Sequence, residues 1–110
     1  MGLDISITLR SDVICPHCGM VVMTTDEGTE YGSGRGWYPI LEDLGYYVPY
    51  EKRTEENDWY GKDMVLTEEQ TEKLYKFVKK NPDLYGSYSI RNLIATAMIE
   101  EKSVVINADW

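Results

Sequence analysis

Leu3, Ile5, Ile7 and Leu9 alternate with Asp4, Ser6, Thr8 and Arg10. Successive side chains on extended backbone point to opposite sides, so a period of two predicts a strand with one buried face. Val13-Ile14 leads into Cys15-Pro16-His17-Cys18-Gly19, and the run Met20-Val21-Val22-Met23-Thr24-Thr25, β-branched and apolar, predicts a second strand. Asp26-Glu27-Gly28 reads as the turn that ends it. The cysteine motif therefore falls near the tip of a hairpin. Gly32-Ser33-Gly34-Arg35-Gly36 reads as a flexible loop. Trp37 to Leu44 predicts a short helix, with Pro39 in its first turn and Gly45 placed to end it. Tyr46 to Lys62 has no clear period and is expected to be mostly loop.

The second half is more regular. Thr67 followed by Gln70 fits a capping box, with Glu68 and Glu69 in the first turn, where the helix dipole favours negative charge. That helix is expected to reach Lys80, where Lys76, Lys79 and Lys80 suit the C-terminal end and Asn81-Pro82 stops it. A further helix starts near Ser87 or Ser89: Ile90, Leu93, Ile94, Ala97 and Met98 recur at helical spacing as one stripe. Ser103 to Asn107 reads as a last strand able to join the N-terminal hairpin. The order β-β-α-α-α-β predicts an α+β fold. Its sheet would be antiparallel or mixed, three-stranded, made of the two N-terminal strands and the C-terminal one, and backed by two to three helices. Residues 1–110 are expected to form a single domain.

Charge narrows the function classes. The chain has 19 acids against 11 Lys and Arg, a net charge of −8. Residues 1–72 carry 15 acids and 5 bases, while residues 73–110 carry 4 acids and 6 bases. A negative field of this kind argues against direct nucleic-acid binding, whose phosphates demand positive charge, and favours basic partners. No apolar run approaches the roughly 20 residues of a membrane span. No basic-plus-apolar leader opens the chain, so a cytoplasmic setting with reduced thiols is expected and no membrane partner.

Residues 31–60 hold 8 of the 13 aromatic side chains, interleaved with Glu51, Glu55, Glu56 and Asp58. Trp37 and Tyr46 are expected to pack inward. Tyr50, Trp59 and Tyr60 are the better surface candidates, since Tyr and Trp offer large contact area with a polar tip. The acids would imitate phosphate toward a groove lined by Arg and Lys.

Cys15 and Cys18 carry the one chemical motif. Cys-Pro-His-Cys is a redox tetrad in disulfide oxidases of the thioredoxin fold, where the first thiol opens a helix that lowers its pKa. Here Gly19 and β-branched residues follow, which are poor helix material. As one knuckle of a zinc ribbon, the pair supplies two of the four ligands of a structural zinc site. The remainder would come from carboxylates or from a second chain, making a homodimer. Without metal, the motif is a hairpin knuckle with two reduced thiols. No residue set reads as a catalytic constellation.

The opening Met1-Gly2-Leu3-Asp4-Ile5-Ser6-Ile7 with Cys15-Pro16-His17-Cys18-Gly19 resembles a group of short uncharacterised proteins encoded by phages and prophages, over about the first 20 residues. Those relatives often continue with an Asn-Ile-Thr-His segment, whereas Tyr31 to Trp37 here lacks the histidine. The resemblance implies a mobile-element origin and a bacterial host cell. Together these features point to a non-enzymatic acidic interaction protein, an inhibitor of the anti-CRISPR or anti-defence type. Its partner would be a nucleic-acid-handling protein with a basic groove. The contact residues would be Tyr50, Glu51, Glu55, Glu56, Asp58, Trp59 and Tyr60. The alternatives are a zinc-knuckle adaptor using Cys15 and Cys18 and a glutaredoxin-like thiol–disulfide oxidoreductase.

Overall fold

The computed structural model describes residues 3–14 and 17–110. Its elements in chain order are β1 (Asp4–Ile14), β2 (Val21–Ser33), α1 (Tyr38–Asp43), β3 (Met64–Val65), α2 (Glu68–Lys80), α3 (Ser87–Glu100) and β4 (Ser103–Asp109). The fold is α+β. The sheet is antiparallel throughout, with strand order β2-β1-β4-β3. It has four strands rather than the three expected: β3 is a two-residue strand beside β4, too short for any hydrophobic period to announce it.

β1 lies at the centre and sets the inside of the sheet. Leu3, Ile5, Ile7 and Leu9 are all buried, and Ile5, Ile7 and Leu9 stand opposite Ala108, Ile106 and Val104 of β4, also buried. The three helices complete this core with Leu41, Leu74, Val78, Ile90, Ile94 and Ala97. Burial of each such aliphatic side chain contributes on the order of 2 kcal/mol. On the stripe expected for α3, Ile90, Ile94 and Ala97 face the core, Leu93 is half-buried and Met98 is exposed.

The helix ends follow the chemistry of their residues. Thr67 accepts from the Gln70 backbone N–H at 3.2 Å, and the Gln70 side chain accepts from the Thr67 N–H at 2.9 Å, closing the capping box. At the far end of α2, the Val78 carbonyl has Pro82 four residues on, which carries no N–H to complete the next helical bond. The buried Ser87 hydroxyl supplies the donor instead, at 3.0 Å, and so ties the start of α3 to the end of α2.

β2 corrects the expected turn at Asp26-Glu27-Gly28. The strand runs on to Ser33, and the register steps so that Leu9 faces Gly28 while Arg10 faces Asp26. Glu27 is the extra residue of a bulge. The polar residues sit there because each finds a cation: Asp26 pairs with Arg10 at 2.7 Å, and Glu27 pairs with Lys102. The segment expected as a flexible loop, Gly32 to Gly36, finishes β2 and enters a 3-10 turn at Arg35–Trp37. Gly32 and Gly86 let α3 lie close against β2. A Cβ on Gly32 would meet the Tyr85 carbonyl at 2.9 Å, and Gly86, at φ +86°, has the Tyr31 carbonyl where a Cβ would stand. No helix among the described residues is long and apolar enough to cross a membrane.

Candidate interaction surfaces

The aromatic and acidic segment wraps the end of the sheet beyond β3. Two residues of β3 cannot cover β4, so other groups finish the edge. Gly61 N–H donates to the Ala108 carbonyl at 3.0 Å, and Leu66 N–H donates to the Val104 carbonyl at 2.9 Å. The Ala108 N–H donates to the Tyr46 hydroxyl at 2.8 Å, which itself donates to the Lys62 carbonyl at 2.7 Å. Tyr46 is wholly buried, as expected from sequence, and so is Trp37. Burial pushes the Tyr46 phenol above its usual pKa, against the opposing effect of its two backbone hydrogen bonds; Asp109 and Asp63 push it the same way as burial.

Around Tyr46 the rings form one assembly centred on Trp110. Trp110 meets Tyr60 at 4.9 Å, Tyr47 at 5.0 Å and Tyr46 at 6.0 Å between centroids, all edge to face. The Arg53 guanidinium lies 5.4 Å from the Trp110 centroid and 5.6 Å from that of Tyr47, and donates to the Val48 carbonyl through Nε and Nη2. Stacking of this kind is worth about 0.5–2 kcal/mol per contact. Its consequence for charge is larger: Arg53, one of the two cations at the start of the acidic loop, is engaged with rings and a carbonyl, while Lys52 beside Glu51 is exposed.

The loop beyond Arg53 is stapled by Asn57, which accepts from the Thr54 N–H at 2.7 Å and donates to the Lys52 carbonyl at 3.2 Å. Glu55 and Glu56 stand at its exposed tip, with Glu51 exposed nearby. Among the described residues none of these three carboxylates has an ion-pair partner, whereas Asp26, Glu27, Asp63 and Glu100 are paired with Arg10 or Lys102.

The expected contact residues divide accordingly. Tyr50 is 85% exposed and Tyr60 is partly so, with one edge against Trp110. Trp59, expected at the surface, is half-buried and packs against the core, its ring 6.4 Å from Tyr46. Asp58 is half-buried too, and its carboxylate accepts from the Tyr60 N–H at 3.1 Å, which makes it a turn-former. Sequence reasoning missed Trp110 and Arg53. The signal for Trp110 was present: it continues the period of two set by Val104, Ile106 and Ala108. Nothing local marked Arg53.

The cysteine motif occupies the connection between β1 and β2. Cys15 and Pro16 lie outside the described residues. Cys18 is a free, exposed thiol, and Gly19 after it has φ +71°. The chain then enters β2 rather than a helix. No group of three His, Cys, Asp or Glu side chains among the described residues is placed to hold a metal ion.

Two grooves lie elsewhere on the surface of the described residues. One lies between the start of α2 and the end of α3, lined by Leu66, Thr71 and Met98 with Glu68, Glu72, Glu101 and Lys102. The other, between α1 and α2, carries Lys73, Lys76 and Lys80 beside Asp43. The displaced pKa values trace to structural contacts. Arg10 is raised by its bond to Asp26 and Lys102 by its bond to Glu27, whose own carboxyl is held below its usual range by Lys102. Comparison with protein-family models, with curated proteins and with solved structures finds no match to this chain.

Proposed function

We propose that this protein acts by binding, and that its acidic loop occupies a basic groove on a protein that handles nucleic acid. The observation that carries the reading is the set Glu51, Glu55 and Glu56: exposed, without ion pairs among the described residues, and presented on a loop fixed by Asn57. A loop whose backbone is already fixed loses less conformational entropy on association than a free one. Tyr50, exposed beside them, is the ring available for burial by the partner. Glu51, Glu55, Glu56 and Tyr50 are therefore the contact set. Trp59 and Asp58 support the loop from behind, and Tyr60 lies at its margin. The resemblance of about the first 20 residues to phage and prophage proteins implies a mobile-element origin, and with it the form proposed is an inhibitor working in the cytoplasm of a bacterial host against a defence nuclease or a similar protein.

The test uses basic nucleic-acid-handling proteins of such a host, each assayed with and without competing duplex DNA or single-stranded RNA. The expected result is a complex that nucleic acid displaces. It should weaken at least about tenfold between 0.1 M and 1 M salt, as the screening length falls from about 10 Å to about 3 Å. Glu55→Lys with Glu56→Lys should weaken it further without changing the melting temperature. Binding that is indifferent to salt and to this double reversal, or no binding to any basic protein, refutes the reading.

A further inference from the structure

The chain is acidic, yet four of its seven lysines, Lys73, Lys76, Lys79 and Lys80, stand on the one helix α2. The negative end of a helix attracts lysines over its last turn. That accounts for Lys79 and Lys80 and leaves Lys73 and Lys76 unexplained. Lys79 is engaged besides, 5.4 Å from the centroid of the Tyr75 ring. Glu69 and Glu72 precede Lys73 and Lys76 by four residues, the spacing at which helix ion pairs form. Even so, among the described residues no ion pair joins Lys73, Lys76 or Lys80 to a carboxylate.

These three exposed lysines share one side of α2 with Phe77, since positions 73, 76, 77 and 80 recur at helical spacing. That side borders the groove between α1 and α2, whose apolar lining is Pro39, Ile40 and Phe77. Ile40 is buried, and Phe77 is half-buried with its ring 5.8 Å from that of Trp37. The helix rises about 10 Å from Lys73 to Lys80. The groove is therefore a short apolar trough with a free cation at each turn. It suits a short segment that carries carboxylates around an aromatic or apolar side chain. A nucleic acid suits it badly, because phosphates continuing past the three lysines meet Asp43, Glu69 and Glu72 of the same two helices.

The chain itself presents such a segment. Glu51, Glu55 and Glu56 are exposed and have no ion pair among the described residues, and Tyr50 beside them is 85% exposed. Since these carboxylates and lysines do not pair within one molecule, a second copy is what brings them together. The loop and the groove are also neighbours. Tyr38, next to Pro39 of the groove, has its ring 5.0 Å from Tyr47, and Arg53 at the root of the loop lies 5.6 Å from the Tyr47 centroid. Acids, an aromatic seam and lysines thus follow one another across one patch. A patch with opposite charges on its two sides is self-complementary under a twofold axis: loop meets groove, and groove meets loop. The net charge of −8 on each chain opposes contact. At about 0.15 M salt that repulsion is largely screened beyond about 8 Å, whereas charges in contact are not.

We infer that two copies of this chain form a salt-sensitive twofold dimer, with the acidic loop of each, Tyr50 to Glu56, seated in the Lys73, Lys76 and Lys80 groove of the other. Tyr50 covers the apolar floor, and the three glutamates face the three lysines. The inference uses the exposure of the loop and not the identity of its partner, so it stands or falls apart from the reading above. Where the loop also binds a basic partner, the two associations exclude one another.

The experiment follows the mass of the full chain by sedimentation equilibrium in reducing buffer, over a dilution series at about 0.15 M and about 1 M salt. The expected result is 12.7 kDa at high dilution, rising toward twice that mass with concentration. The dissociation constant should be at least about tenfold weaker at the higher salt. Lys73→Glu with Lys76→Glu should abolish the dimer, and so should Glu55→Lys with Glu56→Lys, because each puts like charges in contact. All four positions are exposed, so both variants should keep the natural melting temperature. Mixing the two variants is the decisive arm: the reversed loop of one meets the reversed groove of the other, and the mixture should associate where neither variant does alone. A monomer at every concentration, a dimer that survives either double reversal, a dissociation constant indifferent to salt, or a mixture that stays monomeric each overturns the inference. Binding to a basic partner is read separately, since Lys73→Glu with Lys76→Glu leaves the acidic loop as it is.

Discussion

Replacing Tyr46 by Phe removes one oxygen atom and tests how the acidic loop is attached to the sheet. The ring stays, so its packing against Trp59 and Trp110 is kept. What goes is the acceptor for the Ala108 N–H and the donor to the Lys62 carbonyl. The two losses differ in cost. Lys62 is exposed, and its carbonyl can turn to water. Ala108 is buried, and its N–H, in the gap left by the shortness of β3, has the Tyr46 hydroxyl as its acceptor among the described residues. A buried donor left without a partner costs about 1–3 kcal/mol, so the expected loss is about 2 kcal/mol. At an m-value of about 1–1.5 kcal/mol per molar urea, the unfolding midpoint should fall by about 1.5 M with m unchanged. The melting temperature should fall by about 8–12 °C.

The same hydroxyl carries a pH signature. Burial raises the folded pKa of Tyr46 above the value of 10.0 for an ordinary phenol. A raised folded pKa means that the native state holds the proton more tightly than the unfolded chain. The contribution is then fully present below pH 10 and is lost as pH rises through the folded value. The stability gap between the natural protein and Tyr46→Phe should therefore be widest near neutrality and narrow above pH 10. Tyr50→Phe, at an exposed ring, should change stability by less than about 0.5 kcal/mol at either pH. A Tyr46→Phe midpoint within about 0.3 M of the natural one, or a gap that does not narrow in alkali, would refute the account of the hydroxyl as the clasp of the loop.

Two further changes probe other joints. Ser87→Ala should cost about 1–2 kcal/mol in urea unfolding, because the Val78 carbonyl loses its donor and Pro82 has none to offer. Glu27→Gln should lower thermal stability slightly at pH 7 and not at pH 3. Lys102 holds the folded pKa of Glu27 down, so its contribution exists above the ordinary carboxylate value of 4.5 and disappears as pH falls through the folded value. Equal melting differences at the two pH values would show that the pair does not act through charge.

The elements that could be read from sequence are those whose causes lie within one turn or one strand. The capping box needs only Thr67 and Gln70, three residues apart, and the α3 stripe repeats every three or four residues, so both appear where their patterns put them. Asp26-Glu27-Gly28 misled because three turn-forming residues have a second use. In a bulge they keep the strand going, provided that cations wait outside it, and those cations come from Arg10 and Lys102, 16 and 75 residues away. β3 escaped because its place is set by β4, forty residues on, rather than by its own side chains.

The same long reach decides which parts of the acidic, aromatic segment are free to act. Its density of rings and carboxylates is visible in the chain; their orientation is a property of the fold. Trp110 arrives from the last residue to gather Tyr46, Tyr47 and Tyr60 and to engage Arg53, while Trp59 settles against the core. Arg10 and Lys102 are spent on Asp26, Asp63, Glu27 and Glu100. Arg53 is held on rings and a carbonyl, and neither it nor the exposed Lys52 forms an ion pair with Glu51, Glu55 or Glu56 among the described residues. A repulsive cluster of this kind does nothing for the stability of the chain that carries it. Neutralising it should therefore leave the fold intact and remove only what the loop does to a partner, which is what separates an interaction surface from a structural one.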